Sequence, residues 1–480
     1  MKNQLSKKRA AYSQDHQLLA IKFLIVTYVA FLLINSLFLG QHFDTYYYWS
    51  WGQHLALGYL DGPPLVAYFM RFFYFLLGNT LFSLNIYAVS TVLLASFFIF
   101  KIARLLSNSK QTAWVAALLF IPQPLLLAFA SYDNIEQLFW VSSVYCVLEY
   151  LKTRCNKYLY YAGISLGLLL LSKYSGFILA FGLLTFFIFS PEERVIFRNK
   201  HLYLSSLLAL LIFSPNIIWN IQHDWITFIF QAHAHPQIAH THFYSILTLL
   251  WSFIRDYYYP ILLIAYLIYK HRLPKENKQY WHLIWHVSVI LLLFWLIAAY
   301  FANVRHTYLL AFNVLLVCLL ADYLVKYNYA KILWITIFVY LFSTAPYLIH
   351  ASLPSSNRQY QLHLLEQFHT LYLLDKKTPV INGGDFPLLA KLLFTNPQSV
   401  VSSSPACNSD LHQFSEWSLD FKQQLIAHKI PHAFYVDVNN RPQCIKPYFE
   451  NCTQLPTLEY QSTDQKVVLE HLYIYQCHNS

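Results

Sequence analysis

The stretch "IKFLIVTYVAFLLINSLFLGQHFDTYYYWSWGQHLALGYLDGPPL", Ile21–Leu65, decides how this chain is read. It opens with about 20 residues interrupted only by Lys22, long enough to carry an α-helix across about 30 Å of hydrocarbon. It then breaks into acids, aromatics, glycines and a Pro-Pro pair. A helix that leaves a bilayer and delivers Asp44 and Asp61 to its surface is the simplest account. The rest of the composition agrees: 57% of the 480 residues are hydrophobic and 12% are charged, where soluble domains carry about 25% charged residues.

Working outward, eleven apolar segments are expected to span, near 18–39, 81–103, 112–130, 135–151, 157–172, 175–190, 201–219, 246–269, 283–300, 307–325 and 331–350. The alternate connections beginning with 1–17 hold 19 Lys and Arg, and the opposite set holds three, Arg71, Lys173 and Arg305. Lys and Arg are retained on the cytoplasmic side, so the N-terminus is expected inside and the C-terminus outside. The formal net charge of +10 therefore reflects sorting across a membrane, not a nucleic-acid partner. The N-terminal charges followed by an apolar run have the pattern of a signal peptide, but the run is too long and lacks a small-residue cleavage site.

From Ala351 onward nine Lys and Arg balance eleven Asp and Glu, with no run long enough to span. A single outside domain of α/β type is expected over 351–480. "KTPVIN", "HAFYVDV" and "VVLEHLYIY" read as strands, "FPLLAKLLF" and "WSLDFKQQLIAHKI" as helices. Four cysteines fall here, Cys407, Cys444, Cys452 and Cys477, and permit one or two disulfides on an oxidising face without fixing the pairing. The division is thus 1–350, a transmembrane domain with an amphipathic outside loop at 40–80, and 351–480.

The outside connections carry the unusual chemistry. Asp44 opens the 40–80 loop, whose "TYYYWSWGQHLALGYL" and "LVAYFMRFFYFLLG" suit the headgroup layer. Asp133 stands in the short turn "SYDN". Each is either an N-cap or a general base whose pKa is raised by partial desolvation. Lys173 and Tyr174 sit in "LLLSKYSGF", where a lysine either snorkels or finds an anion such as a lipid phosphate. Arg305 and His306 in "ANVRHTYLL" offer a guanidinium that anchors to headgroups or grips phosphate. The loop "FSPNIIWNIQHDWITFIFQAHAHPQIAHTHF" holds His223, Asp224, His233, His235, His240 and His242. Its two H-x-H pairs make a divalent metal conceivable at His233, His235, His240 and His242, although the spacing matches no established motif and the loop reads equally as polar cover. The sequence demands no other cofactor. Neither GxxxxGK[ST] nor GxGxxG occurs, which argues against a soluble nucleotide donor.

Three of these stretches together, "DTYYYWSWGQHLALGYLDGPPLVAYFMR", "LLSKYSGFIL" and "SPNIIWNIQHDWITFIFQ", resemble the bacterial GT-C glycosyltransferases related to dolichyl-phosphate-mannose–protein mannosyltransferases and lipid A aminoarabinose transferases, with a weaker likeness at "NGGDFPLLAKLLF". The resemblance implies a multi-helix enzyme of the bacterial inner membrane. It would take a sugar from a polyprenyl-phosphate carrier on the periplasmic face and transfer it to lipid A or another envelope glycan. Asp44 matches the first member of the family's acidic pair; the second position is Thr45, which shifts weight to Asp133, a match to a further family acid. Where relatives carry a basic residue before Pro-Pro this chain has Gly62, so the donor phosphate would depend on Lys173, Arg305 and His306, with Tyr59, Asp61, Tyr174, His223 and Asp224 shaping the site. Single displacement by an activated acceptor hydroxyl would invert the anomeric centre. The rival readings are a glycosyltransferase acting on protein or other envelope glycans, and a non-catalytic transporter of lipid-linked sugar. No internal repeat of the kind transporters show is visible.

Overall fold

The computed structural model describes residues 2–122, 126–127, 129–233, 242–274, 276–301, 304, 306–352, 357–372, 378–382, 386–395, 400–404, 406, 419–461 and 468–479. The chain divides into two compact units. One comprises 1–34, 88–127 and 132–347; the other comprises 35–87, 128–131 and 348–480. By packing, the 40–80 loop therefore groups with the C-terminal residues, whereas the sequence places the boundary at 350.

The first unit is helical. It contains most of α1 (Lys2–Asn35) and α4 (Leu81–Ser107), then α5 (Lys110–Phe120), α6 (Tyr132–Thr153), α7 (Lys157–Ser172), α8 (Gly176–Phe189), α9 (Lys200–Gln222), α10 (Ile226–His233), α11 (His242–His271), α12 (Lys278–Phe301), a 3₁₀ segment His306–Phe312, α13 (Asn313–Lys326) and most of α14 (Ala330–Ser352). Five of these helices are long and apolar enough to cross a membrane: those over Asp15–Asn35, Leu81–Ser107, Lys200–Gln222, Lys278–Phe301 and Tyr308–Lys326. The protein is a multi-pass membrane protein.

Helices overlie all the expected spans, with one departure. The segment expected at 112–130 is interrupted: α5 ends at Phe120, the chain breaks at Ile121–Pro122, and Leu126–Leu127 are helical again. Pro122 lacks the N–H a helix needs, which gives the break its physical reason. The "SKYS" interruption separates α7 from α8 as read. Within α11, Tyr257 leaves helical geometry (φ −120°, ψ 17°) three residues before Pro260, the kink a proline imposes on the preceding turn.

Two glycines one turn apart on α7 set how closely α9 can approach. A Cβ at Gly163 would collide with the Ser205 carbonyl oxygen, and one at Gly167 would lie 2.9 Å from the Ala209 carbonyl oxygen. Small residues at this spacing let two backbones meet in lipid, where no hydrophobic drive presses helices together.

The second unit is built on a sheet in the order β2-β1-β3-β6-β4, with β5 also on β6. The strands are β1 (Val380–Asn382), β2 (Val401–Ser403), β3 (His432–Asp437), β4 (Asn451–Gln454), β5 (Leu458–Gln461) and β6 (Val468–His478). β1 runs parallel to β2 and β3, while β6 is antiparallel to β3, β4 and β5. The helices α15 (Asn357–Leu371), α16 (Phe386–Thr395) and α17 (Leu419–Ile426) complete the α/β arrangement. Cys452 and Cys477, directly paired across β4 and β6, form a disulfide, and Cys444 is also disulfide-bonded. Cys407 lies outside the described residues.

The loop in this unit folds as α2 (Phe43–Gln53) and α3 (Leu65–Leu77). Thr45 to Trp51 are all buried, and Tyr46 and Trp49 pack edge-on against Phe394 of α16 at 5.0 and 5.1 Å. The α2 aromatics are thus protein core and do not lie in a headgroup layer. α3 keeps the expected two-faced character, with Val66, Ala67 and Met70 buried and Phe72, Phe75 and Leu76 exposed. Gly52 permits the α2–α3 approach, since a Cβ there would sit 3.1 Å from the Ala67 carbonyl oxygen.

Candidate functional site

In the helical unit the chemistry converges on Lys173. The residue caps the C-terminal end of α7 in extended geometry, at the turn into α8. Its Nζ lies 2.6 Å from Asp133 Oδ1 and 3.2 Å from Glu136 Oε2, with all three side chains largely buried. Asp133 and Glu136 are three residues apart, so both emerge from one face of the first turns of α6. Acids there also meet the positive end of the helix dipole. Ser175 Oγ donates to Glu136 Oε1. The rings of Tyr132 and Tyr308 lie 4.8 and 4.6 Å from Nζ and add π-faces to the cation's surroundings. Burial alone would push the ammonium toward neutrality, but Asp133 and Glu136 outweigh it and hold its pKa well above the ordinary lysine value.

This arrangement joins two predicted residues, Asp133 and Lys173, and adds two that sequence reasoning missed, Glu136 and Tyr308. The signal for Glu136 was its i+3 spacing from Asp133 on a helix start. Lys173 neither snorkels to solvent nor stands as a bare cation, because two carboxylates already surround it. The 3₁₀ segment that brings Tyr308 begins at His306. Arg305 and the side chain of His306 lie outside the described residues.

Tyr174, next in sequence, turns elsewhere. Its hydroxyl donates to Asn216 Oδ1 at 2.9 Å and its ring stacks on Phe228 at 4.9 Å. His223 and Asp224 form the exposed corner between α9 and α10. The His223 ring stacks on Trp219 at 4.0 Å, and Asp224 and Trp225 take φ of 52° and 59°. Of the metal candidates, His235 and His240 lie outside the described residues, as do the side chains of His233 and His242. Among the described residues no group of three or more His, Cys, Asp or Glu is arranged to hold a metal ion.

The second unit holds the other acids. The N-cap of α2 is His42, whose Nδ1 accepts from the Asp44 N–H at 3.4 Å and lies 3.5 Å from Asp44 Oδ2. Asp44 therefore does not cap the helix. Its side chain is 17% exposed, a half-shielded carboxylate next to a histidine. Thr45, where the resemblance leads one to look for a second acid, is fully buried and donates to Gln41 Oε1 at 3.1 Å. Gln41 in turn accepts from the Ala130 N–H at 2.8 Å and donates to Asn85 Oδ1, and Asn85 donates to the Ser36 and Leu39 carbonyls at 2.8 and 2.9 Å. A carboxylate at position 45 would be charged inside this network, so a neutral hydroxyl fits the place.

Tyr59 and Asp61 close the loop ahead of Pro63. The Tyr59 hydroxyl lies 2.9 Å from both the Trp51 and His54 carbonyl oxygens and accepts from the Ala56 N–H at 3.1 Å, while its ring stacks on Trp51 at 4.2 Å. Backbone hydrogen bonds between Tyr59 and Gly62 fasten the turn. Asp61 Oδ1 is shut off from solvent. Burial pushes its carboxyl up; the Tyr47 hydroxyl, hydrogen-bonded to it, pulls it down; the Asp44 charge pushes it up again, leaving a pKa of about 7.

Three comparisons bear on what such residues do. Residues 61–219 match the protein-family model described as dolichyl-phosphate-mannose-protein mannosyltransferase. The lipid A galacturonosyltransferase RgtD of Rhizobium johnstonii is 26% identical over 185 residues, which span 38% of this chain and 38% of that relative. ArnT from Cupriavidus metallidurans in the apo state superposes with a TM-score of 0.69 at 12% identity, over 95% of this chain and 98% of that one. The same protein bound to undecaprenyl phosphate gives 0.67 at 14% identity, over 94% and 97%. The chain has the ArnT fold, and it resembles GT-C glycosyltransferases of the mannosyltransferase and ArnT type.

Proposed function

We propose that the protein is a GT-C glycosyltransferase of the bacterial inner membrane, N-terminus cytoplasmic, which moves a sugar from a polyprenyl-phosphate carrier to lipid A on the periplasmic face. The observation that carries the proposal is Asp44: a carboxylate relieved of capping by His42, half-shielded, at the start of a helix otherwise buried from Thr45 to Trp51. The fold shared with ArnT, which has been determined with undecaprenyl phosphate, supports the class of donor. The likeness to a lipid A galacturonosyltransferase supports the acceptor.

The chemistry follows from the leaving group. A sugar linked to a lipid phosphate departs readily, so the enzyme must deprotonate an acceptor hydroxyl, orient it and steady the phosphate. General-base help is worth about 10²–10⁴-fold, with orientation and electrostatic stabilisation adding to it. Asp44 takes the acceptor proton as the hydroxyl oxygen attacks the anomeric carbon; the bond to the phosphate oxygen breaks and its electron pair leaves with the carrier phosphate. This single displacement inverts the centre. Asp133, whose charge Lys173 balances, supports rather than abstracts. Lys173, through the N–H that Asp133 and Glu136 leave over, with Arg305 and His306, is assigned to the phosphate.

Mass spectrometry of lipid A from cells with and without the gene tests the proposal. A sugar missing from lipid A in the deletion strain, restored by the wild-type gene, would support it and identify the sugar. Unchanged lipid A alongside a loss from another envelope glycan or a protein would reassign the acceptor.

A further inference from the structure

The end of α13 away from Lys173 holds a polar cavity. Tyr308 beside Lys173 and Asp322 near the far end are separated along this segment by roughly 20 Å at helical rise. There a cavity of about 510 Å³, within the size range of ligand sites, is lined by residues that include Asp15, Ser109, Lys110, Glu276, Asp322 and Lys326. Asp322 is only 6% exposed and, among the described residues, makes no hydrogen bond and no ion pair. Lys326, one turn further on, pairs with Glu276 at 2.9 Å. Three carboxylates thus face two ammonium groups, and a buried carboxylate without a hydrogen-bonded partner is costly.

The part of the lining at the start of α5 has the complementary character. Ser109 caps α5, accepting from the Thr112 N–H at 3.2 Å, and Lys110 projects from the first turn of that helix. A cationic side chain at the positive end of a helix dipole suits an anion, phosphate above all. A bare divalent cation would satisfy Asp322 but be repelled by Lys110 and Lys326 of the same lining. A ligand bearing an ammonium and a phosphate joined by a short linker satisfies both. The cavity opens where apolar spanning helices end, which is headgroup depth.

We propose that this cavity binds the ethanolamine-phosphate headgroup of an inner-leaflet phospholipid, its ammonium on Asp322 and its phosphodiester at Lys110 and the start of α5. The test is lipid retention by purified full-length protein, read by native mass spectrometry after exchange into detergent containing phosphatidylethanolamine, phosphatidylglycerol or phosphatidylcholine. Phosphatidylethanolamine should be retained over the other two, since one lacks the ammonium and the other cannot donate a hydrogen bond. Asp322→Asn should weaken that retention by about ten-fold, the worth of one charge-assisted hydrogen bond. Equal retention of the three lipids, or a preference that survives Asp322→Asn, would overturn the proposal. Free phosphoethanolamine that displaces the lipid at equal concentration would overturn the lipid source and move the same chemistry to a soluble ligand. Should Asp322→Asn not fold, Lys110→Ala on the exposed rim decides: weaker retention supports the site, unchanged retention overturns it.

Discussion

Two acidic regions in this molecule differ in what their charges face. Around Lys173, two carboxylates, a cation and two aromatic faces satisfy one another inside the helical unit. Around Asp44 and Asp61, in the other unit, the neighbours include a histidine and a tyrosine hydroxyl. A compensated cluster holds helices in place, whereas a carboxylate at a helix start beside a histidine is placed to take a proton from an acceptor. The comparison assigns structure-bearing electrostatics and, through Lys173, the donor phosphate to the first region, and proton transfer to the second.

The sharpest way to break that comparison is Asp44→Asn. Transfer should fall by about 10²–10⁴-fold while the protein folds and reaches the membrane normally. Near-normal turnover of a labelled polyprenyl-phosphate sugar would remove Asp44 from the base role. Lys173→Met should lower both stability and transfer, because it strands Asp133 and Glu136 without their cation, at a cost of about 3–5 kcal/mol, and removes a cation assigned to the donor phosphate. Thermal unfolding in detergent would show it, and adding Asp133→Asn with Glu136→Gln should recover much of the loss. If the single variant melts like wild type, the cluster does not hold the helices.

Asp61 gives a pH signature. Its carboxyl titrates near 7 when folded, above the unfolded value of 3.8, so the native state holds the extra proton. The stability this group contributes is full below about pH 4 and is lost as the pH rises through about 7. Asp61→Asn cannot ionise and should reduce the fall in melting temperature between about pH 5 and about pH 8; an unchanged fall would place its origin elsewhere. The smallest effect is expected from Thr45→Val, which deletes one buried hydrogen bond to Gln41 and should cost about 1 kcal/mol with transfer retained. Lost transfer in a stably folded Thr45→Val would show that this hydroxyl does more than hold the loop.

The helical spans were legible because hydrophobic length is a strong local signal, and "VIN", "HAFYVD" and "FPLLAKLLFT" in the second unit were legible by period. β2, β4 and β5 were not, being three or four residues long and specified by their partners in the sheet. The run Tyr46–Trp51 was misplaced for a different reason: Trp and Tyr serve a membrane interface and a protein core equally well, and only the packing against Phe394 distinguishes them. At the site, the acids and the lysine could be picked out singly from their positions at helix ends. That Lys173 is shared between Asp133 and Glu136 required two helices to be brought together, which no local pattern encodes.

The central claim is that Asp44 serves a single-displacement transfer from a polyprenyl-phosphate sugar. Purified wild-type protein supplied with an anomerically defined, labelled undecaprenyl-phosphate sugar and lipid A tests it directly by NMR of the product. The account predicts glycosylated lipid A with the anomeric configuration inverted; retained configuration, or a donor that is moved across the bilayer without sugar transfer, would contradict it.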